Sequence, residues 1–493
     1  MTAWLRRAGV LLHPTSLPGD SYTGDLGAEA RRFVAWMVDA GLSIWQVLPL
    51  GPTHEDGCPY QSVSVHAGNP DLIDLEWLVQ HGLLEPAQAL AGRESAVAKR
   101  QALDTAAERF FADLYSGCAS TLVDAYGRFV DEAEYWLEDY VRFQAFRDAH
   151  DQQPWSGWPP GLRDCEPGAC DDVARHLASQ LSRLRFRQFV FHSQWRELKA
   201  FANAQGVLLF GDMPIYVHLE SADVWAHQDD FDLDDTGQPV TITGVPPDYF
   251  SAEGQLWGNP QYHWERMRAS GFAWWLKRFD SAAQMYDIVR IDHFRALEAY
   301  WEIPAGATTA LAGHWVQSPG AELLTLVKGH YPDLRLVAEN LGIISPEVEE
   351  LRHAFALPGM LILQFAFDGN PENPYLGHRH DENEVVYTGT HDNNTTLGWF
   401  QSLDEALAQK VCDYFQCRPD DIPWAVISAA MASPARTAVV PWQDFLALDG
   451  THRMNTPGTT TGNWQWRFRR DQVPADLAGR IRALSEETGR APG

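Results

Sequence analysis

Three acids follow short apolar runs in the chain. Asp292 sits in "YDIVRIDHFRAL", Glu339 in "LRLVAENLG" and Asp392 in "VVYTGTHD". Singly, each fits a helix cap, because acids at strand ends often accept backbone N–H groups. Together they point to chemistry. Asp292 lies two residues from Arg290, whose charge would hold it ionised. Glu339 follows "LVA", an apolar setting that raises a carboxyl pKa and keeps a proton ready for donation. An ionised Asp near a protonated Glu is the pair that retaining glycoside chemistry uses. One attacks the anomeric carbon; the other protonates the leaving oxygen, then deprotonates the incoming one. Asp392, preceded by His391, would grip sugar hydroxyls and distort the ring toward an oxocarbenium-like transition state. "QLWGNPQYHW" sets Trp257 and Tyr262 around Gly258-Asn259-Pro260 in an expected loop, with Tyr249 and Phe250 just before it. Such rings stack on the apolar faces of pyranoses while Asn and Asp bind the hydroxyls.

Other chemistries find less support. Asp and Glu also bind Ca²⁺ or Mg²⁺, but "DDFDLDDTG" (229–237) has no Glu twelve positions on from Asp229, Asp230 or Asp232. It reads as a solvated acidic loop. Cys165/Cys170 and Cys412/Cys417 each have four intervening residues rather than the two of a zinc knuckle, and six cysteines in this length read as free thiols. No serine elbow occurs. Cys58 before Pro59, with His54 nearby, leaves a thiol nucleophile open.

The acids need elements to hold them. Eight short apolar runs recur, at 9–19, 43–52, 206–217, 287–294, 334–342, 359–367, 385–392 and 436–446, with helical stretches such as 27–42 and 182–206 between several of them. Strand alternating with helix implies a parallel sheet, and eight units imply a (β/α)₈ TIM barrel. The chief competitor, a doubly wound sheet, lacks a GxGxxG after the first strand. Asp292, Glu339 and Asp392 end the fourth, fifth and seventh runs, so they would converge over the barrel mouth. We expect one catalytic barrel over 1–493. A mainly helical insertion should fill 53–180 after the second strand, with 154–172 as a loop. A second insertion, 218–275 after the third strand, should carry the aromatic lid.

Composition narrows the partners. A formal charge of −28 argues against nucleic acid or an anionic membrane. The N-terminal run after two arginines is too short for a signal peptide and stops at His13-Pro14, so a cytoplasmic location is expected. The aromatic load (20 Trp, 15 Tyr, 23 Phe) exceeds what core packing alone explains and suits platforms for sugars.

"VRIDHFRAL", "VAENLG" and "YTGTHDNNTT", in this order, resemble the signatures of the amylomaltase family of 4-α-glucanotransferases, relatives of the α-amylases. "GCPYQSVSVHAGNPDLIDL", "GDMPIYV", "VPPDYFSAEGQLWGNPQYHW" and "RMNTPGTTTGNWQWR" extend the likeness from near residue 10 to near residue 470. The resemblance implies a barrel with insertions, no cofactor or metal, and transfer of α-1,4-glucan segments between maltooligosaccharide or amylose chains. It implies Asp292 as nucleophile, Glu339 as acid/base and Asp392 as transition-state stabiliser. Tyr60, Asp212, Arg290 and His391 would contact the sugar at the cleavage point. Tyr249, Phe250, Trp257 and Phe365 would be acceptor-side and lid aromatics, and Asn455 an acceptor contact. The compact form and a monomer or weak homo-oligomer are expected. Cys58 and Asp71 depart from the family pattern near the second strand. A glucan hydrolase and a non-catalytic glucan-binding protein are the alternatives.

Overall fold

The computed structural model describes residues 6–116, 120–247 and 252–492. Eight strands, β1 (Arg7–Leu11), β2 (Ile44–Gln46), β3 (Leu208–Met213), β4 (Ile288–Ile291), β5 (Arg335–Ala338), β6 (Gly359–Ile362), β7 (Glu384–Tyr387) and β8 (Thr437–Pro441), form one sheet. They are parallel, in the order β6-β7-β8-β1-β2-β3-β4-β5. The two ends meet where the Ala338 N–H donates to the Pro358 carbonyl at 2.8 Å, so the sheet curls into a (β/α)₈ barrel with its seam at β5 and β6.

Strand side chains alternate faces, and that alternation fixes the site. Phe210, Ile288, Val337, Val385 and Tyr387 fill the barrel interior, whereas Val289, Ile291, Leu336 and Ala338 pack outward against the helices. Arg290 and Asp292 share the parity of Ile288, Asp212 that of Phe210, and Glu339 that of Val337. Apolar residues thus fill the lower barrel, and the polar set continues the same inward face at its C-terminal rim. The surrounding helices are amphipathic: Ala28–Asp39 buries Ala30, Phe33, Val34 and Met37 at helical spacing.

Among the described residues, seven helices run between β2 and β3 from Leu75–Gln80 to Pro167–His176, and then Ala178–Ala204, which leads back into the barrel. The expected loop at 154–172 is corrected: it contains the helix Pro160–Arg163 and the start of Pro167–His176. Each begins with proline, whose missing N–H costs nothing in the first helical turn. The segment after β3 is also more ordered than its Gly, Asn and Pro content suggested. Thr241–Val245 and Gln255–Pro260 form strands in an antiparallel sheet with Ala299–Pro304 and His314–Gln317, which follow β4. "QLWGNP" is therefore an edge strand rather than a loop, and an edge tolerates Gly258 at φ +80° and a terminal Pro260. Among the described residues, no helix is long and apolar enough to cross a membrane.

Candidate active site

β4 ends at Ile291, and the Asp292 N–H still donates to Met213 O of β3 at 3.0 Å. His293 then turns the chain through the left-handed region (φ +48°, ψ +50°), unusual for a residue with a side chain. The turn aims its N–H at Glu339 Oε2, 2.7 Å away. Glu339 is tied to the same turn by its backbone: its N–H donates to Ile291 O and its carbonyl accepts from Phe294. Leu341 N–H donates to the other carboxyl oxygen, Oε1, at 2.9 Å. Asp292 and Glu339 are thus held by one hydrogen-bonded junction of β4 and β5.

Arg290 fixes the neighbouring acids. One of its terminal nitrogens donates to both oxygens of Asp212 at 2.8 Å, and the other lies 2.7 Å from Asp292 Oδ1. The Arg290 and Asp212 side chains are 7% and 0% exposed, so this pair is sealed, while Asp292 at 27% opens to the cleft. Tyr60 donates its hydroxyl to Asp212 Oδ2 at 2.7 Å and stacks on His391 (centroids 5.1 Å, 18° between planes). Across from Arg290, Asp392 lies 3.3 Å from His391 Nε2 and accepts from Asn455 Nδ2 at 2.7 Å. Asn455 thus touches Asp392 directly.

These contacts set the charges. Burial raises Asp292 to about 7; Arg290 opposes this, but Asp212, Glu339 and Asp392 add to it. Arg290 does favour the ionised form of Asp292, as expected, but it also serves Asp212, and burial and three nearby acids outweigh it. Burial likewise raises Glu339, against Arg290 and the two backbone N–H bonds. Both members of the pair are pushed up, so protons leave it in steps that belong to the two together. Asp392 is different. Burial works to raise it, but His391 and Asn455 outweigh that and hold it well below the carboxylate range. His391 moves the opposite way: burial disfavours its charge, and Asp392 raises it overall.

On one flank, Trp257 meets His293 edge-on (4.8 Å, 83°), and Tyr216 lies 6.0–6.2 Å from both rings. Asn259 is half-buried on the same strand as Trp257. On the other flank, Trp464 lies 5.9 Å from Tyr60 and 6.0 Å from His391. A cavity of about 470 Å³ extends from Trp464, His13 and Pro59 to Asn69 and Asp71, a size that suits a small ligand. Phe365, in the turn after β6, is half-buried and packs on the barrel's interior cluster and edge-on against Tyr375. Tyr249 and Phe250 lie outside the described residues. His13, which follows the first apolar run, lines that cavity at the rim; His293, Tyr216 and Trp464 are site neighbours that the sequence did not single out as ligand contacts, although Trp464 lies within the quoted "TGNWQWR". Burial pushes the Cys58 thiol up to about 11, away from the thiolate form a nucleophile uses.

An acidic rim site on a closed parallel barrel defines the class: a (β/α)₈ enzyme with carboxylates converging at the C-terminal ends of its strands. The chain belongs to the 4-alpha-glucanotransferase family, whose model matches residues 12–472. It is 44% identical over 496 residues to the 4-alpha-glucanotransferase of Thermus thermophilus, spanning 98% of this chain and 99% of that one. It is also 44% identical over 495 residues to that of Synechocystis sp., spanning 98% of each. The amylomaltase from Streptococcus agalactiae in complex with acarbose superposes with a TM-score of 0.94 at 34% identity, covering 99% of this chain and all of that one.

Proposed function

We propose that the protein is a 4-α-glucanotransferase that moves α-1,4-glucan segments between maltooligosaccharide or amylose chains by retaining double displacement. An Asp292 carboxylate oxygen attacks the anomeric carbon of the donor as its bond to the leaving 4-oxygen breaks. Glu339 gives that oxygen its proton. An acceptor chain then brings its own 4-hydroxyl, Glu339 takes the proton back, and the new C1–O bond forms as Asp292 leaves. Asp392, kept ionised by His391 and Asn455, stabilises the positive charge that develops on the ring. Tyr60 and His391 stand at the cleavage point, the sealed Asp212–Arg290 pair fixes Tyr60 and Asp292 from behind, and Trp257 and Trp464 offer flat faces on either side.

The observation that carries this reading is the shared junction: the residue after Asp292 donates its N–H to Glu339, so nucleophile and acid/base are built on one turn. The family relatives carry 4-alpha-glucanotransferase names, which supports transfer over hydrolysis. Chromatography of products from maltotriose alone tests it. Glucose together with maltodextrins longer than the substrate is the expected result. Hydrolysis products with no chain longer than maltotriose would overturn it.

A further inference from the structure

Among the described residues, neighbouring barrel strands pair through a ladder at every interface except that between β5 and β6. One backbone bond, Ala338 N–H to Pro358 O, crosses that seam below Glu339. Just above Glu339, the next rung comes from a side chain. Asn340 Oδ1 accepts the Met360 N–H at 2.8 Å, and its Nδ2 donates to Glu349 Oε1 at 2.8 Å. Glu349 is gripped in turn by Arg352, whose Nε and a terminal nitrogen donate to its Oε2 at 2.9 and 2.6 Å. Arg352 is buried, donates to Leu357 O at 3.0 Å and lies 3.2 Å from Glu384, the first residue of β7. The packing leaves no slack: a Cβ on Gly359 would stand 2.8 Å from the Asn340 amide and 2.6 Å from Glu384.

We infer that Asn340 is a positioning residue for Glu339, acting with the Glu349–Arg352–Glu384 chain behind it in place of the missing ladder. The link runs through the backbone. Leu341 N–H, which holds Glu339 Oε1, belongs to the peptide that begins at Asn340. On the β4 side Glu339 is fixed by Ile291 and His293; on the β6 side the Asn340 amide is the anchor above Ala338. Releasing it frees that peptide to rotate and takes one donor from the carboxyl group. This inference rests on the reading of Glu339 as acid/base, since proton transfer to and from the glycosidic oxygen is what needs that geometry.

The test compares two donors on the full chain. Maltotriose has a sugar leaving group that needs a proton; α-maltosyl fluoride has one that does not. In Asn340→Ala, turnover of maltotriose is expected to fall about tenfold to a hundredfold, as for a small misplacement of a catalytic group. First-turnover fluoride release should stay within about threefold of wild type, because acid assistance contributes little there. Glu349→Ala should give the same selectivity more weakly and Glu349→Gln should bring maltotriose turnover back toward wild type, which keeps the test usable if Asn340→Ala does not fold. A fall shared equally by both donors, or no fall in either, overturns the positioning role. Glu339→Gln is run alongside. If it also lacks donor selectivity, the acid/base reading falls and the inference with it; if it alone is selective, only the inference falls.

Discussion

Replacing Asp292 with Asn should remove activity and yet stabilise the protein above neutral pH. Burial, with the nearby Asp212, Glu339 and Asp392, raises this carboxyl from 3.8 to about 7. At about 1.36 kcal/mol per pKa unit, holding it ionised costs the folded state at most about 4 kcal/mol. The side chain is 27% exposed, so solvent screening reduces this to about 2 kcal/mol. The folded pKa is raised, so the penalty is absent below about pH 4, grows between about 4 and 7, and is complete above that. Asn keeps an oxygen for Arg290, which retains Asp212 in any case. With an unfolding entropy of about 2 cal/mol/K per residue, a 493-residue chain gains about 2 °C in Tm from 2 kcal/mol. Thermal unfolding of wild type and Asp292→Asn at intervals from pH 4 to 8, with maltotriose turnover on the same samples, reads both effects. A gain that appears only as pH rises, with turnover lost, is expected. A variant that is less stable at pH 8, or whose difference from wild type is the same at every pH, would refute the account of Asp292 as a destabilised, functional carboxyl.

Three further outcomes follow from the same geometry. Asp212→Asn removes a charge that raises Asp292, so the acid limb of the kcat/KM profile should move to lower pH; an unchanged limb, or a shift to higher pH, would contradict the electrostatic coupling. Asn455→Ala takes a donor from Asp392 and should lower kcat about tenfold with little change in KM, the loss expected for a charge-assisted hydrogen bond used in the transition state. Trp464→Ala should instead raise KM for maltotriose and leave Tm near wild type, since the ring is only half-buried; steady-state kinetics and thermal unfolding separate the two effects.

The barrel was legible because its strands are short apolar runs that end in a polar residue, and period-two alternation carries Ile288, Arg290 and Asp292 onto one face. The same pattern located all three acids at the rim. The charge state of Asp292 was not legible. Arg290 is its neighbour in sequence, but Asp212, 78 residues away from Arg290, claims the same guanidinium, and Glu339 arrives from another strand. The antiparallel sheet was missed for a local reason. Gly258, Asn259 and Pro260 carry turn signals, and only the pairing of Gln255–Pro260 with Thr241–Val245 makes them a strand. His293 and Trp464 gave no signal either, since their left-handed backbones (φ +48° and +64°) are tertiary features that composition does not announce.

The central claim is that a glucan segment passes through a covalent bond to Asp292. Glu339→Gln should form that bond from α-maltosyl fluoride, which needs no acid to depart, and should release it slowly for lack of a base. Intact-protein mass spectrometry after brief mixing, followed by peptide mapping, measures it directly. A maltosyl adduct on the peptide carrying Asp292, absent when Asp292→Asn is added, is the predicted result. Fluoride release with no adduct, or an adduct on any other residue, would contradict the account.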